Sequence, residues 1–374
     1  MAESRWSCNP PPLKIGDLVA RVPIVQGGMG VGISLAGLAS AVARAGGIGV
    51  ISAALVGVFE GEALFFKNPT AANVQGLKRQ ISLAKEKAPE GIIGVNIMVA
   101  LTDFDPLCQA ACEAGADILF CGAGLPLHLP ELRPAGSRTK LSPIVSSPRA
   151  AKLIAKRWWS RYHCVPDAVV VEGPKAGGHL GFSPDKIEAQ ESRLEVLVPQ
   201  VIEAMKPFED LAGQAIPVIP AGGIYTGADI YFYIHKLGAA GVQMATRFVA
   251  TYECDASEAF KEAYIKASRE DLAIIRSPVG LPGRAIRGKF IQEVEAGKRS
   301  PYKCIYHCLK TCDYRKSPYC IAAALINAQR GRLDAGFVFA GANAWRVEKI
   351  VSVQELIDEL IEEYCQVRRK EEGA

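Results

Sequence analysis

Eight short β-branched or apolar runs, most followed by a stretch that reads as helix, constrain this chain more than any other feature. The candidate strands are 22–26, 48–52, 92–98, 118–121, 143–146, 168–172, 217–220 and 241–244. Most are continuously apolar instead of alternating, which is what strands buried on both faces require. Helices are predicted at 35–45, 75–87, 106–114, 148–157, 196–205 and 228–237, and Ala45-Gly46, Ala114-Gly115 and Leu237-Gly238 are stop signals just ahead of strands. Eight β-α units point to an α/β fold, a closed TIM-type (β/α)8 barrel, over an open doubly wound sheet. The glycine run Gly27-Gly28-Met29-Gly30-Val31-Gly32 has the wrong spacing for a dinucleotide fingerprint.

One barrel does not use 374 residues. The expected division is a barrel over 14–255 and a helical C-terminal extension over 256–374, packed on the barrel exterior. Within the extension, 260–273 reads as helix, 277–288 as a glycine and proline loop, 304–328 as a largely helical cysteine-bearing segment, and 353–368 as an amphipathic helix. Forty-three basic against 39 acidic residues leave a net charge of +4 with no basic run, so neither nucleic acid nor an anionic membrane is an expected partner. The apolar region 31–59 is broken by Gly46-Gly47 and reads as helix then strand, not as a membrane span. Residues 1–12 lack the pattern of a secretory signal, so a cytoplasmic location is expected, and the 11 cysteines are expected as core thiols, redox groups or metal ligands.

In such a barrel the residues just past each strand form the active face. After the first strand, Gln26 to Gly30 offers backbone without side chains to a flat ring, or simply a tight turn. Asn96 lies inside an apolar strand and needs polar partners, at the barrel mouth or within the structure. The sixth strand runs into Glu172-Gly173-Pro174-Lys175-Ala176-Gly177-Gly178-His179-Leu180-Gly181, an imidazole on a glycine-packed loop suited to moving a proton near neutral pH. Ala221-Gly222-Gly223-Ile224 and Gln243-Met244-Ala245-Thr246 follow strands seven and eight, the recurrent phosphate position of this fold.

Together, Val25 to Gly30, Glu172 to Gly181, Ala221 to Ile224 and Gly241 to Phe248 resemble the nitronate monooxygenase (2-nitropropane dioxygenase) family over about residues 15–290. The resemblance implies a barrel binding FMN without a covalent link. Gly28, Met29 and Gly30 would lie by the isoalloxazine, and Asn96 would contact the cofactor. Gly178, Gly222, Gly223, Gln243, Ala245 and Thr246 would hold the ribityl phosphate region, and Met244 would also belong to the cofactor site. His179 would be the base or substrate orienter, and a small-molecule nitronate would be oxidised with oxygen to a carbonyl compound and nitrite. Ser146-Ser147 stands where some members carry a lysine.

The same architecture resembles flavin-dependent enoyl-acyl-carrier-protein reductases, which use NAD(P)H, and Ser277 to Ala285 resembles a loop found in both groups. Reduction of an enoyl thioester is therefore the alternative activity, and an electron-transfer component working through the cysteine segment is a third. In that segment, Cys304, Cys308 and Cys312 would form one stripe of a helix, with Cys320 returning after a turn. Such a set could ligate zinc or an iron–sulfur cluster, form a redox pair, or be buried thiols of a lid. Homo-oligomer formation is open.

Overall fold

The computed structural model describes residues 8–301 and 303–373. Eight parallel strands close into a barrel: β1 (Ile24–Gln26), β2 (Ile48–Ser52), β3 (Ile92–Met98), β4 (Ile118–Gly122), β5 (Lys140–Val145), β6 (Val169–Glu172), β7 (Val218–Ala221) and β8 (Val242–Met244). Neighbours in sequence are neighbours in space, and the ring shuts where Gln243 of β8 pairs with Val25 of β1. All eight predicted strands are present, with end shifts of a few residues.

Inside the barrel Val25, Val50, Phe120, Val170 and Ile219 form a cluster shared with Leu13 and Ile15. Those two come from a hairpin, Leu13–Ile15 with Leu18–Ala20, which shares the barrel's interior core and has no counterpart in the sequence-based expectation. The outward faces of the strands meet the helices in a second, larger core. Local signals fix where helices begin. Asn68 Oδ1 accepts from Ala71 N at 3.1 Å with Pro69 in the first turn, so that helix spans Pro69–Lys87 and starts earlier than the predicted 75. Ser147 Oγ caps Pro148–Tyr162 in the same way, at 3.2 Å from Ala150 N.

The C-terminal extension departs from its expected helical character. The helix predicted over 260–273 is Glu258–Lys266, and Leu272–Arg276 is instead a strand, β9, paired antiparallel with β10 (Pro282–Ile286) inside the predicted loop. β10 also pairs with the two-residue strand Gly178–His179, so a distant backbone edge decides the conformation. The segment 304–328 is helical only over Ile321–Gln329. Ahead of it the backbone bonds outward: Thr102 N donates to Cys308 O at 3.1 Å and Lys310 N to Ala100 O at 3.0 Å, bonds that a helix would have kept internal. The cysteine stripe on one helix is therefore absent.

The final helix is Val353–Glu372, with Leu356, Ile357, Leu360 and Ile361 buried. Its Cys365 forms a disulfide with Cys8, S–S 2.10 Å, which corrects the expectation that every cysteine is a thiol or ligand. Among the described residues no helix is long and apolar enough to cross a membrane, and the region 31–59 divides into the helix Ala36–Arg44 and β2.

Candidate active site

A cavity of about 450 Å³ opens at the C-terminal ends of the strands. Gly28, Met29, Gly30, Asn96, Gly178, His179, Gly222, Gly223, Gln243, Met244, Ala245 and Thr246 all line it. The fold thus gathers every flavin-site and catalytic residue singled out from sequence. Of the four cysteines proposed as ligands, Cys308 alone reaches the cavity wall.

The cavity floor is shaped by close approach. A β-carbon on Gly28 would lie 2.3 Å from Asn96 Cβ, so a side chain there would collide with the strand and fill the space over it. Asn96 donates to Phe120 O at 3.3 Å. Beneath, buried Gln26 donates to Gly27 O at 2.6 Å and accepts from Val50 N at 2.9 Å, which fixes the turn that carries Gly28 to Gly30. At the opposite wall Gly222 and Gly223 hold φ of +96° and +90°, conformations that L side chains rarely adopt. Lys175 packs beside Gly223 and is the one lysine or arginine among the described residues lining the cavity. Ser146 and Ser147 line it too, so basic charge is brought by the loop after β6 and not by the end of β5.

His179 is held by elements far apart in sequence. Its strand pairs with Gly283, and Leu180 N donates to Pro282 O at 2.8 Å. Its Nε2 lies 2.6 Å from Ser277 Oγ, and Ser277 Oγ also accepts from Val279 N at 3.3 Å. The Phe339 ring meets the imidazole edge-on at 5.0 Å between centroids, and Tyr264 OH, donating to Phe339 O at 2.6 Å, steadies that segment. Nδ1 has no hydrogen-bond partner among the described residues, which leaves it for a ligand. Burial holds the His179 pKa down to about 4, so the ring is neutral at pH 7. Burial pushes the carboxyl of Glu172, the last residue of β6 and also in the cavity wall, up to about 7.

Ser277, Phe339 and the segment 341–343 beside the Gly222-Gly223 wall were not singled out as site residues. Asn343 Nδ2 donates to Gly223 O at 2.7 Å, Ala342 N to Lys175 O at 3.0 Å, and Gly341 abuts Thr246. No local pattern marks these positions, because each acts through a partner more than 90 residues away.

The barrel with a glycine-floored, histidine-bearing cavity at its C-terminal mouth defines a flavin-dependent oxidoreductase. Within that class the chain belongs to the nitronate monooxygenase family, which it matches over residues 12–363. It is 29% identical, over 279 residues, to the (3aS,4S,5R,7aS)-5-hydroxy-7a-methyl-1-oxo-octahydro-1H-indene-4-carboxyl-CoA dehydrogenase of Mycobacterium tuberculosis, covering 74% of this chain and 66% of that one. It is 36% identical over 129 residues to a probable nitronate monooxygenase of Staphylococcus aureus, 34% of each chain. The match spans less than two thirds of either relative's length. The structure of FabK from Thermotoga maritima superposes with a TM-score of 0.71 at 27% identity, covering 94% of this chain and 95% of that one.

FMN fits the donor set. The cavity offers a side-chain-free floor at Gly28 to Gly30, an amide at Asn96, and a glycine wall with Thr246 and Lys175 suited to a phosphate.

Proposed function

We propose that the protein is an FMN-dependent oxidoreductase acting on an acyl thioester whose reacting acyl group is uncharged and largely apolar, with NAD(P)H as the other redox partner. The observation that carries this reading is the lining of the cavity, in which Lys175, beside Gly223, is the one lysine or arginine among the described residues, while burial shifts His179 and Glu172 toward their neutral forms. Much of the remaining surface is apolar, with Met29, Leu125, Ile144, Val279, Leu281 and Leu325 among the lining residues. A small anionic nitronate would find one cation there, already placed for a phosphate, whereas an acyl chain would find apolar walls. The names of the Mycobacterium relative and of FabK agree with this class.

FMN, when bound, supplies a two-electron redox centre. The chain's own residues hold and orient. Gly28, Met29 and Gly30 keep the floor flat, Lys175 balances phosphate charge, the apolar walls exclude water, and His179 Nδ1 gives or takes the substrate proton while Ser277 fixes the ring.

Nitronate oxidation is the second reading, favoured by the Staphylococcus relative's name. Anaerobic mixing separates the two. Bleaching of the flavin by NAD(P)H, with reoxidation by an enoyl thioester, is expected. Bleaching by an alkyl nitronate and not by NAD(P)H would replace the proposal with the second reading.

A further inference from the structure

The cavity has two chemically different sides. Among the described residues lining it, the glutamate, the lysine and the histidine, Glu172, Lys175 and His179, all come from the end of β6 and the loop that follows. Across the closed ring stand β2 and β3. There the wall is completed by two segments of the C-terminal extension, the irregular stretch 303–320 and the helix Ile321–Gln329. Irregular chain inside a compact domain needs something besides helix or sheet to fix it. Leu309 bridges Leu101, and Thr102 Oγ1 donates to His307 O at 2.6 Å, which pins the stretch to the loop after β3. Its cysteines supply no metal site, since among the described residues no three His, Cys, Asp or Glu side chains are placed to hold an ion. What the two segments do supply is an apolar surface: Leu101, Cys308, Leu309, Ile321, Ala322 and Leu325 all line the cavity.

The helix is fixed at both ends. Just ahead of it Tyr319 meets Phe337 edge-on with 5.5 Å between centroids, Phe337 meets Phe339 at 4.9 Å, and Phe339 meets His179 at 5.0 Å. That row of rings sets the distance between the helix start and the imidazole. At the other end Gln329 Nε2 donates to Asp255 O at 3.0 Å and to Gly32 O at 3.4 Å. Along its length the backbone of Gly336 presses on it, since a β-carbon there would lie 2.0 Å from Ala324 O. Ile321 and Leu325, one turn apart, share a face of this held helix. Ile321 and Ala322 are buried, whereas Leu325 is only half-buried. Leu325 is therefore the side chain on this wall whose size can change with least disturbance of the core behind it.

We propose that the acyl chain of the substrate runs from His179 to this uncharged side of the cavity, and that Leu325 sets how long a chain is accepted. The inference rests on the acyl-thioester reading above and names the part of the cavity that selects among such thioesters. The reacting carbons must lie within reach of His179, so the rest of the chain either returns to water or continues along the wall of Leu101, Leu309, Ile321 and Leu325. Continuing is favoured, because each methylene buried there leaves water. A polar or charged extension would lose its hydration without finding a partner on that wall.

The test titrates the FMN-loaded full chain with saturated acyl thioesters of N-acetylcysteamine, butyryl to decanoyl, which present the chain but have no double bond to reduce. Dissociation constants are read from the flavin spectrum and taken per bound FMN, so that any loss of folded protein drops out. Affinity should rise about fourfold per added methylene until the chamber is full. Leu325→Trp should end that rise at a shorter chain and lower the octanoyl-to-butyryl affinity ratio at least about tenfold. Leu325→Ala should carry the rise to a longer chain. Affinity independent of chain length in the parent, or one length profile shared by the parent and both variants, would overturn the proposal. Length-dependent binding governed by Leu325, with no reoxidation of reduced flavin by the matching enoyl thioesters, would keep the chamber and remove the reductase reading instead.

Discussion

His179 Nε2 and Ser277 Oγ stand 2.6 Å apart across 98 residues of sequence. The hydroxyl comes from the turn between β9 and β10, the imidazole from the loop after β6, and the three-stranded sheet they share keeps them in register. Replacing Ser277 by Ala removes one anchor of the ring and leaves the glycine floor untouched. Turnover should fall about tenfold, the equivalent of one hydrogen bond of roughly 1.4 kcal/mol, with FMN content unchanged. Steady-state kinetics alongside the flavin absorbance of the purified variant measures both, and full turnover at full FMN content would remove Ser277 from the site.

Two buried groups make stability depend on pH in opposite directions. Glu172 rises from 4.5 to about 7, so between those values the folded chain binds more protons than the unfolded one and stability falls as pH rises. His179 drops from 6.5 to about 4, so between those values the unfolded chain binds more and stability rises with pH. The two limbs offset each other over their overlap. Glu172→Gln removes the falling limb, and the variant should gain on the parent by roughly 3 kcal/mol from the acid side of the window to its neutral side. Parallel curves of Tm against pH for variant and parent would contradict the Glu172 shift.

Gly28→Ala puts a β-carbon 2.3 Å from Asn96 Cβ. The turn must move or Asn96 must leave its bond to Phe120 O, at a cost of about 1–3 kcal/mol. FMN affinity, read by flavin fluorescence on titration, should drop at least about tenfold. An unchanged dissociation constant would mean that the floor is not where the ring lies.

Asp255 caps a helix it is remote from in sequence. Its carboxylate accepts from Leu35 N at 2.7 Å and from Gly37 N and Leu38 N, both at 3.1 Å, at the start of the helix Ala36–Arg44. Those amides hold the charge against the burial that raises its pKa. Asp255→Ala leaves three part-buried amide donors without this acceptor, and denaturant unfolding should show a loss of about 2–4 kcal/mol. A change below roughly 0.5 kcal/mol, the scale of an ordinary surface substitution, would show that water replaces the cap.

The barrel was legible because its signals are local. A strand buried on both faces must be continuously apolar, as Ile48-Gly49-Val50-Ile51 is, and the sequence order of eight such units leaves few ways to close. The glycine loops were legible for a related reason: Gly222-Gly223 and Gly28 to Gly30 are backbone requirements written directly as residue types. His179 stood out because it sits among glycines. What the chain does after the barrel was less legible. Residues 272–276 have no intrinsic mark that makes them a strand, since their partner is the edge at 282–286 and, beyond it, the loop at 178–179. The sequence 304–320 reads as helix by spacing, yet Ala100 and Thr102 take backbone bonds that a helix would use.

By itself, then, the sequence determined the closed parallel barrel, the end of it that carries chemistry and the residues that line its mouth, because strand burial, helix stops and glycine placement are short-range physics. Only the tertiary structure decided that Ser277 holds His179, that Phe339 and Gly341 wall the cavity, that Cys8 meets Cys365 and that Cys308 stands at the cavity edge. Each of those contacts joins segments that no local preference brings together, and burial by the assembled chain is what moves Glu172 and His179 away from their ordinary titration.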